Sequence, residues 1–296
     1  MNQAMLMPRT AAKAGAILSP IGEDDCMGVG TFLNRNLNRR ISAQAWAEAM
    51  QPEWMGTAPN HGFMLTVAGE VVGAQLAFYS QRSIAGRTEP ICNLAALCVH
   101  ENFRAQSFML IRAALAQPGY SFTDLSPSGN VRPLNRRLGF EELDTETALV
   151  LNLPAWQPGI TVLTDLAAIE TALKGEDLRI FRDHRHAQAA RHVVLTVGGA
   201  YCYVIYRRDR RRDLPLFATL LHVGNAALLP RVGAALFSHL LVRRGIPFTL
   251  AELRVTKWHP PFSRHLPSNR VKMFASKTLG PDAIDYLNSE LTCVAW

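Results

Sequence analysis

Along the chain, apolar positions keep one of two periods, and each change of period marks an element. Phe32, Leu33 and Leu37, set against Arg35, Arg39 and Arg40, predict an amphipathic helix over 27–40. Ser42 stands as the N-cap of a second helix over 43–50. Phe63 to Val67 and Val71 to Tyr79, joined by Ala68-Gly69-Glu70, predict a hairpin, and Gly86 to Pro90 a loop. The run Leu94-Ala95-Ala96-Leu97-Cys98-Val99 holds no charge and no turn residue, and predicts a strand buried on both faces. A polar elbow, His100 to Arg104, follows it. Phe108, Leu110, Ile111, Ala114 and Leu115 then recur at helical spacing as far as Pro118-Gly119. A strand that turns tightly into a helix presents unpaired N–H groups and a positive dipole end, which suits phosphate. Tyr120 to Leu125 predicts another strand and Asn130 to Arg137 a short basic helix with Gly139 as its C-cap. The segment 142–153 is expected to close this first sheet.

Pro154 to Gly159, with two prolines and a glycine, predicts a stiff connector. Beyond it the order of elements repeats. A helix is expected over 163–173, then a hairpin of His192–Val197 and Ala200–Tyr206 turning at Gly198-Gly199. Arg207 to Asp213 reads as a basic loop. An apolar strand over 216–223, a helix over 228–243 and a strand over 248–253 complete the repeat. The tail from Trp258 is expected to be irregular until a short helix over 281–287. The predicted organisation is therefore a leader (1–19), a first domain (20–154), a second, degenerate copy of it (160–256) and a C-terminal tail (257–296).

Composition narrows the class. At 296 residues, with 48% hydrophobic and 19% charged residues, the chain is globular rather than disordered and long enough for two domains. A net charge of +7 suits a ligand carrying phosphate or carboxylate. The five cysteines are scattered without a C-x-x-C pair, which suits a reducing compartment, so a cytoplasmic location is expected. Lys13 and Pro20 break the N-terminal apolar stretch, and no run reaches about 18 apolar residues, so no signal peptide and no membrane span are expected. His184 and His186 lie among Arg182, Arg185 and Arg191, which would repel a cation. They are read as part of a solvated basic loop, and no metal is expected. Gly28-x-Gly30 is read as helix-flanking flexibility rather than a phosphate loop.

Two segments carry a family resemblance. Val99-His100-Glu101-Asn102-Phe103-Arg104-Ala105-Gln106-Ser107-Phe108-Met109 resembles the V-x-P-x-Y-R-G-Q-G-x-G turn of the GNAT acyltransferase superfamily. Val99, Phe103, Arg104 and Gln106 fit that pattern, whereas Glu101 replaces Pro, and Ala105, Ser107 and Met109 replace glycines. About thirty residues on, Asn130, Leu134, Leu138, Gly139 and Phe140 resemble the family's N-x-x-A-x-x-l-Y-e-k-l-G-F segment. The resemblance implies an α/β (α+β) fold with a mixed, mostly antiparallel sheet flanked by helices, in two similar halves.

The resemblance also implies an activity: transfer of an acyl group from acetyl-CoA or a longer acyl-CoA to a primary amine, such as a small-molecule or amino-acid-like acceptor. The backbone of Leu97, Cys98 and Val99 would hold the pantetheine arm. The turn Arg104, Ala105, Gln106, Ser107, Phe108 and Met109, with Asn130, would hold the pyrophosphate. The family's strand glutamate falls at Ala95, leaving Asn93, Glu89 and His100 as the nearest polar side chains; Asn93 could hold a water and Glu89 could act as a base. The family's acidic Tyr falls at Asn135, which has no proton to give in that role. Three other functions remain open. A non-catalytic binding protein could use the same fold. An acyl carrier protein could be the donor, since its arm has no adenosine pyrophosphate for the turn to hold. Nucleic acid could bind Arg207 to Arg212, but no interleaved aromatics support it, and a solvated loop is the preferred reading.

Overall fold

The computed structural model describes residues 15–56, 58–211, 214–268 and 270–296. Most of the expected leader, 1–14, lies outside them. Two seven-stranded sheets form the frame. The strands in chain order are β1 (Ile17–Pro20), β2 (Gly62–Val67), β3 (Glu70–Ile84), β4 (Arg87–Val99), β5 (Ser121–Asp124), β6 (Glu141–Glu142) and β7 (Thr147–Leu151). They continue as β8 (Thr161–Leu163), β9 (Arg191–Val197), β10 (Ala200–Arg211), β11 (Leu214–Val223), β12 (Phe248–Glu252), β13 (Ser263–Leu266) and β14 (Met273–Ala275). The helices are α1 (Cys26–Asn36), α2 (Ala43–Ala49), α3 (Ser107–Leu115), α4 (Arg132–Arg137), α5 (Leu166–Ala172), α6 (Gly175–His184), α7 (Leu229–Arg244), α8 (Leu253–Thr256) and α9 (Glu290–Cys293).

The first sheet runs β1-β2-β3-β4-β5-β14-β6 and the second β13-β7-β12-β11-β10-β9-β8. Both are antiparallel except for one parallel pair at the centre of each, β4 with β5 and β11 with β12. The sheets do not follow the chain halves. The expectation that 142–153 closes the first sheet is corrected: β7 lies in the second sheet, antiparallel between β12 and β13. Its place in the first sheet, between β5 and β6, is taken by β14 from the tail expected to be irregular. Each sheet thus borrows one inner strand from the other part of the chain. Alternation explains the fit. On β7, Ala148 and Val150 are buried in the second core. On β14, Met273 faces the first core and its neighbour Phe274 the core shared between the sheets.

Other expectations shift at their edges. Gly86 to Pro90 is not a loop; Ala85-Gly86 is the tip of a long hairpin, and β4 starts at Arg87. The basic loop from Arg207 is strand as far as Arg211. The helix expected over 281–287 is one 3-10 turn, Pro281–Ala283, and the true closing helix is α9. His184 is not in a solvated loop. It ends α6 fully buried, its Nδ1 bonded to the Ile180 carbonyl and its Nε2 accepting the Asn288 N–H. Burial pushes its pKa down to about 3, so the ring is a neutral hydrogen-bond bridge. Ala226–Arg244 has the length and hydropathy of a membrane span, yet Leu229, Val232, Leu236 and Leu240 pack in the second core.

Gly28 and Gly30 both lie inside α1. A Cβ on Gly30 would stand 2.4 Å from the Ala43 carbonyl oxygen, where α2 crosses, whereas Gly28 faces open space. Gly30→Ala is therefore expected to destabilise the protein by about 1–3 kcal/mol, because neither backbone can yield. Gly28→Ala should stabilise it by ~0.5–1 kcal/mol through helix propensity alone. Opposite shifts in the denaturant midpoint check the pair.

Candidate active site

The centre of the first sheet is splayed. β4 and β5 pair from Ile91↔Ser121 to Asn93↔Thr123 and no further, although β4 runs on to Val99. On its other edge β4 stays paired with β3, through a bulge opposite Gln75. Ala96 sits in that bulge with φ 53°, and the buried Gln75 amide donates to the Ala95 carbonyl at 2.8 Å. The β5-facing backbone groups of Leu94 to Val99 therefore have no strand partner. An extended amide chain could lie along them as a guest strand.

The second sheet repeats the device. β11 and β12 pair from Phe217↔Phe248 to Thr219↔Leu250 and then part, and β11 bulges between Leu220 and His222. The two wedges open on one cavity of about 510 Å³ at the junction of the sheets. Ala95, Ala96 and Leu97 line it from one side, Thr219 and Leu221 from the other.

The chemistry around the cavity comes from residues that converge only in the fold. Asp124 ends β5 at the mouth of the first wedge and is 9% exposed. Burial pushes its carboxyl up to about 6, against the pull of the Asn135 Nδ2 donor at 2.8 Å and the Ser126 backbone N–H. Such a group switches between acid and base near neutrality. Glu290 lies fully buried behind it, with Oε1 accepting from the Ser126 hydroxyl at 2.8 Å. Burial, and secondarily the Asp124 charge, push it up to about 7. Lys272 and Glu252 form a buried ion pair on the cavity wall. The Tyr286 hydroxyl also donates to Glu252, and Lys272 Nζ stands 4.2 Å from that ring's centroid.

The residues expected from sequence separate into three places. Leu97 lines the cavity, and Cys98 and Val99 extend the unpaired edge of β4. Asn93 is buried at the last rung of the β4–β5 ladder. Its Nδ2 donates to Thr123 and its Oδ1 accepts the Glu290 N–H, so it pins β4, β5 and α9 together and stands outside the cavity lining. Asn135 is also buried, holding Asp124. Glu89 is five residues before Leu94, roughly 16 Å from the wedge along the strand, near Thr278. Asn130 is exposed in the loop before α4. The turn differs most from expectation. Glu101–Gln106 is a 3-10 helix that runs without a break into α3, and the Ser107 N–H is bonded to the Arg104 carbonyl. The Asn102, Phe103 and Ser107 amides are thus already bonded, which leaves fewer free N–H groups than an open Gly-rich phosphate loop presents. Phe108 and Met109 are 43% and 39% exposed on its surface. The corresponding turn of the second half is closed differently: a Cβ on Gly224 would stand 2.5 Å from the Asp177 carboxylate, whose charge repels phosphate.

The sequence singles out none of Asp124, Glu290 and Lys272, and marks Arg207 only as one arginine of a basic run. One signal was available for Arg207. Tyr203 and Ile205 alternate with Cys202, Val204 and Tyr206, and the same period carried on places Arg207 and Asp209 on the Tyr203 face, which looks into the cavity.

Splayed strand, bulge and following helix define the fold of the GCN5-related N-acetyltransferases, here with two splayed sheets in one chain. Solved structures agree. One GCN5-related N-acetyltransferase from Anabaena variabilis matches 88% of this chain and 72% of its own at 11% identity and a TM-score of 0.57. Another, from Kribbella flavida, covers 88% and 70% at 15% identity and 0.52. Saccharomyces cerevisiae N-myristoyltransferase, solved with bound myristoyl-CoA, covers 95% and 86% at 11% identity and 0.50. Identities this low carry the fold alone. No family model and no curated relative matches the chain.

Proposed function

We propose that the protein is an acyltransferase that takes its acyl group from a pantetheine thioester lying in the first wedge and passes it to a primary amine in the junction cavity. The observation that carries this reading is the unpaired edge of β4 opening directly onto a cavity with Asp124 at its mouth. Amide groups of the arm would pair with the free edge of Leu94 to Val99, and the thioester would come to rest beside Ala95–Leu97. Ionised Asp124 would accept a proton from the acceptor ammonium. The freed amine would attack the thioester carbonyl carbon; the C–N bond forms, the C–S bond breaks with its electron pair going to sulfur, and the proton that the nitrogen sheds in becoming an amide passes to that sulfur, which leaves as the thiol. The first wedge is preferred because Asp177 occupies the turn of the second.

The donor is acyl-CoA in this reading. The continuous helix at the turn favours a second one, a carrier protein, whose arm brings no adenosine pyrophosphate for the turn to hold. Exposed Phe108 and Met109 beside Arg104 and Arg112 would then meet the carrier. Acetyl-CoA, longer acyl-CoAs and the same acyl groups on acyl carrier protein, each with a mixture of primary amines, separate the donors by amine-dependent release of thiol. Release is expected from one donor class and should vanish in Leu97→Trp, which fills the wedge. Absence of release from every donor would refute the proposal. A donor at a hundred times its Kd should also stabilise the fold by about 2.7 kcal/mol.

A further inference from the structure

Arg207 is 1% exposed on β10, with its guanidinium at the cavity wall. Its Nη1 donates to the Leu291 carbonyl at 3.2 Å, while Nε and Nη2 have no hydrogen-bond partner. Asp209, 4% exposed, is the nearest carboxylate, with Oδ1 3.3 Å from Arg207 Nε and 3.6 Å from Arg270 Nη1. Its Oδ2 is taken by the Thr219 hydroxyl at 2.6 Å. One carboxylate thus faces two guanidiniums. The other acids are engaged elsewhere: Glu252 with Lys272, Asp124 with Asn135, and Glu290, which lies behind the wall and also acts on Arg207, with the Ser126 hydroxyl. A buried guanidinium whose Nη2 is open and whose Nε has only an ion-pair contact is costly unless something completes it, and a carboxylate matches its planar fork. Asp124 and Glu252 on the same wall disfavour a dianion such as phosphate.

We propose that the junction cavity binds a ligand through a free carboxylate, held by Arg207 and Arg270 in the space that Asp209 alone does not neutralise. As a statement about binding it stands by itself; that the carboxylate belongs to a substrate rests on the proposed transfer reaction. The carboxylate could be that of the acceptor, making it an amino acid, or that of the acyl chain.

Calorimetric titration of the full chain, without any donor, tests the site. The probes are L-leucine and L-glutamate for the acceptor, succinate and glutarate for the acyl chain, the amide or methyl ester of each, and inorganic phosphate. At least one carboxylate is expected to bind at least tenfold more tightly than its neutral counterpart and more tightly than phosphate. That preference should drop at least tenfold in Arg207→Gln, and also in Arg270→Gln, whose half-exposed side chain can be removed without unfolding the core. Preference for the amino acids assigns the carboxylate to the acceptor, and preference for the diacids to the acyl chain. The proposal is overturned if no carboxylate binds, if esters or phosphate bind as well, or if Arg270→Gln leaves the preference intact. Because no donor is present, a failed transfer assay with intact carboxylate binding counts against the reaction and not against this site.

Discussion

Asp124→Asn is expected to lower the turnover of acyl transfer about 10²–10⁴-fold, the usual worth of a positioned general base. The substitution keeps the shape and one hydrogen-bonding oxygen but cannot take the acceptor's proton. The wild-type pH profile of kcat/KM should carry an acidic limb near pH 6, with activity falling below it, because only ionised Asp124 acts as the base. In Asp124→Asn that limb disappears. Asn135→Ala tests the positioning of the base: the amide of Asn135 holds Asp124 down against burial, so its loss should move the limb to higher pH. A purely structural Asn135 would lower the rate without moving the limb. A limb that stays in Asp124→Asn would assign the base to another group.

Glu252→Ala is expected to be the most destabilising single change on the cavity wall, by about 3–5 kcal/mol, since it leaves the Lys272 ammonium buried without a counter-charge. The side chains of Lys272 and Glu252 are 6% and 1% exposed, so water cannot replace the lost partner. The Tyr286 hydroxyl loses its acceptor at the same time. Glu252 ends β12 in the second sheet, and Lys272 immediately precedes β14, the strand lent to the first sheet. The pair therefore ties down the exchange of strands as well as the cavity. Lys272→Met combined with Glu252→Leu removes both charges and should recover much of the loss, because apolar replacements of a buried pair are often tolerated. Denaturant titration of both variants checks this; a double variant as unstable as Glu252→Ala would show that the charges themselves are needed.

Some of this was open to reading from the residues. The hairpin at Ala68-Gly69, the strand into Val99 and the helix after the polar elbow follow from local periodicity, and each is in the structure, although Ala96 to Val99 are half-buried rather than buried on both faces because β5 has parted from them. Leu97, expected to lie along the donor's arm, is beside the wedge and lines the cavity, a position that a local strand-turn-helix resemblance can point to. Asn93 stands out as the nearest polar residue to the position of the family's strand glutamate, and Asn135 as the residue at its tyrosine position, but a position in a pattern is shared by catalytic and bracing side chains. Only their partners distinguish the two: Asn93 binds the N–H of Glu290, 197 residues away. The same limit hid Asp124, whose raised pKa arises from burial, against the opposing pull of Asn135. It hid Arg207 as well, which looked like one more charge in a soluble run.

Side-chain period and turn chemistry within a few residues sufficed for the central hairpins, strands and helices and for their order, but not for Gly86 to Pro90, the stretch from Arg207 or the tail, where pairing with distant strands makes strand of what reads as loop. Tertiary structure alone decided which sheet β7 and β14 complete, where the two wedges face each other, and which charges the resulting cavity encloses. Those outcomes depend on burial and on pairing between segments distant in the chain, such as Met273 with Asp124. A carboxyl or guanidinium acquires its chemistry from neighbours that the linear order does not reveal.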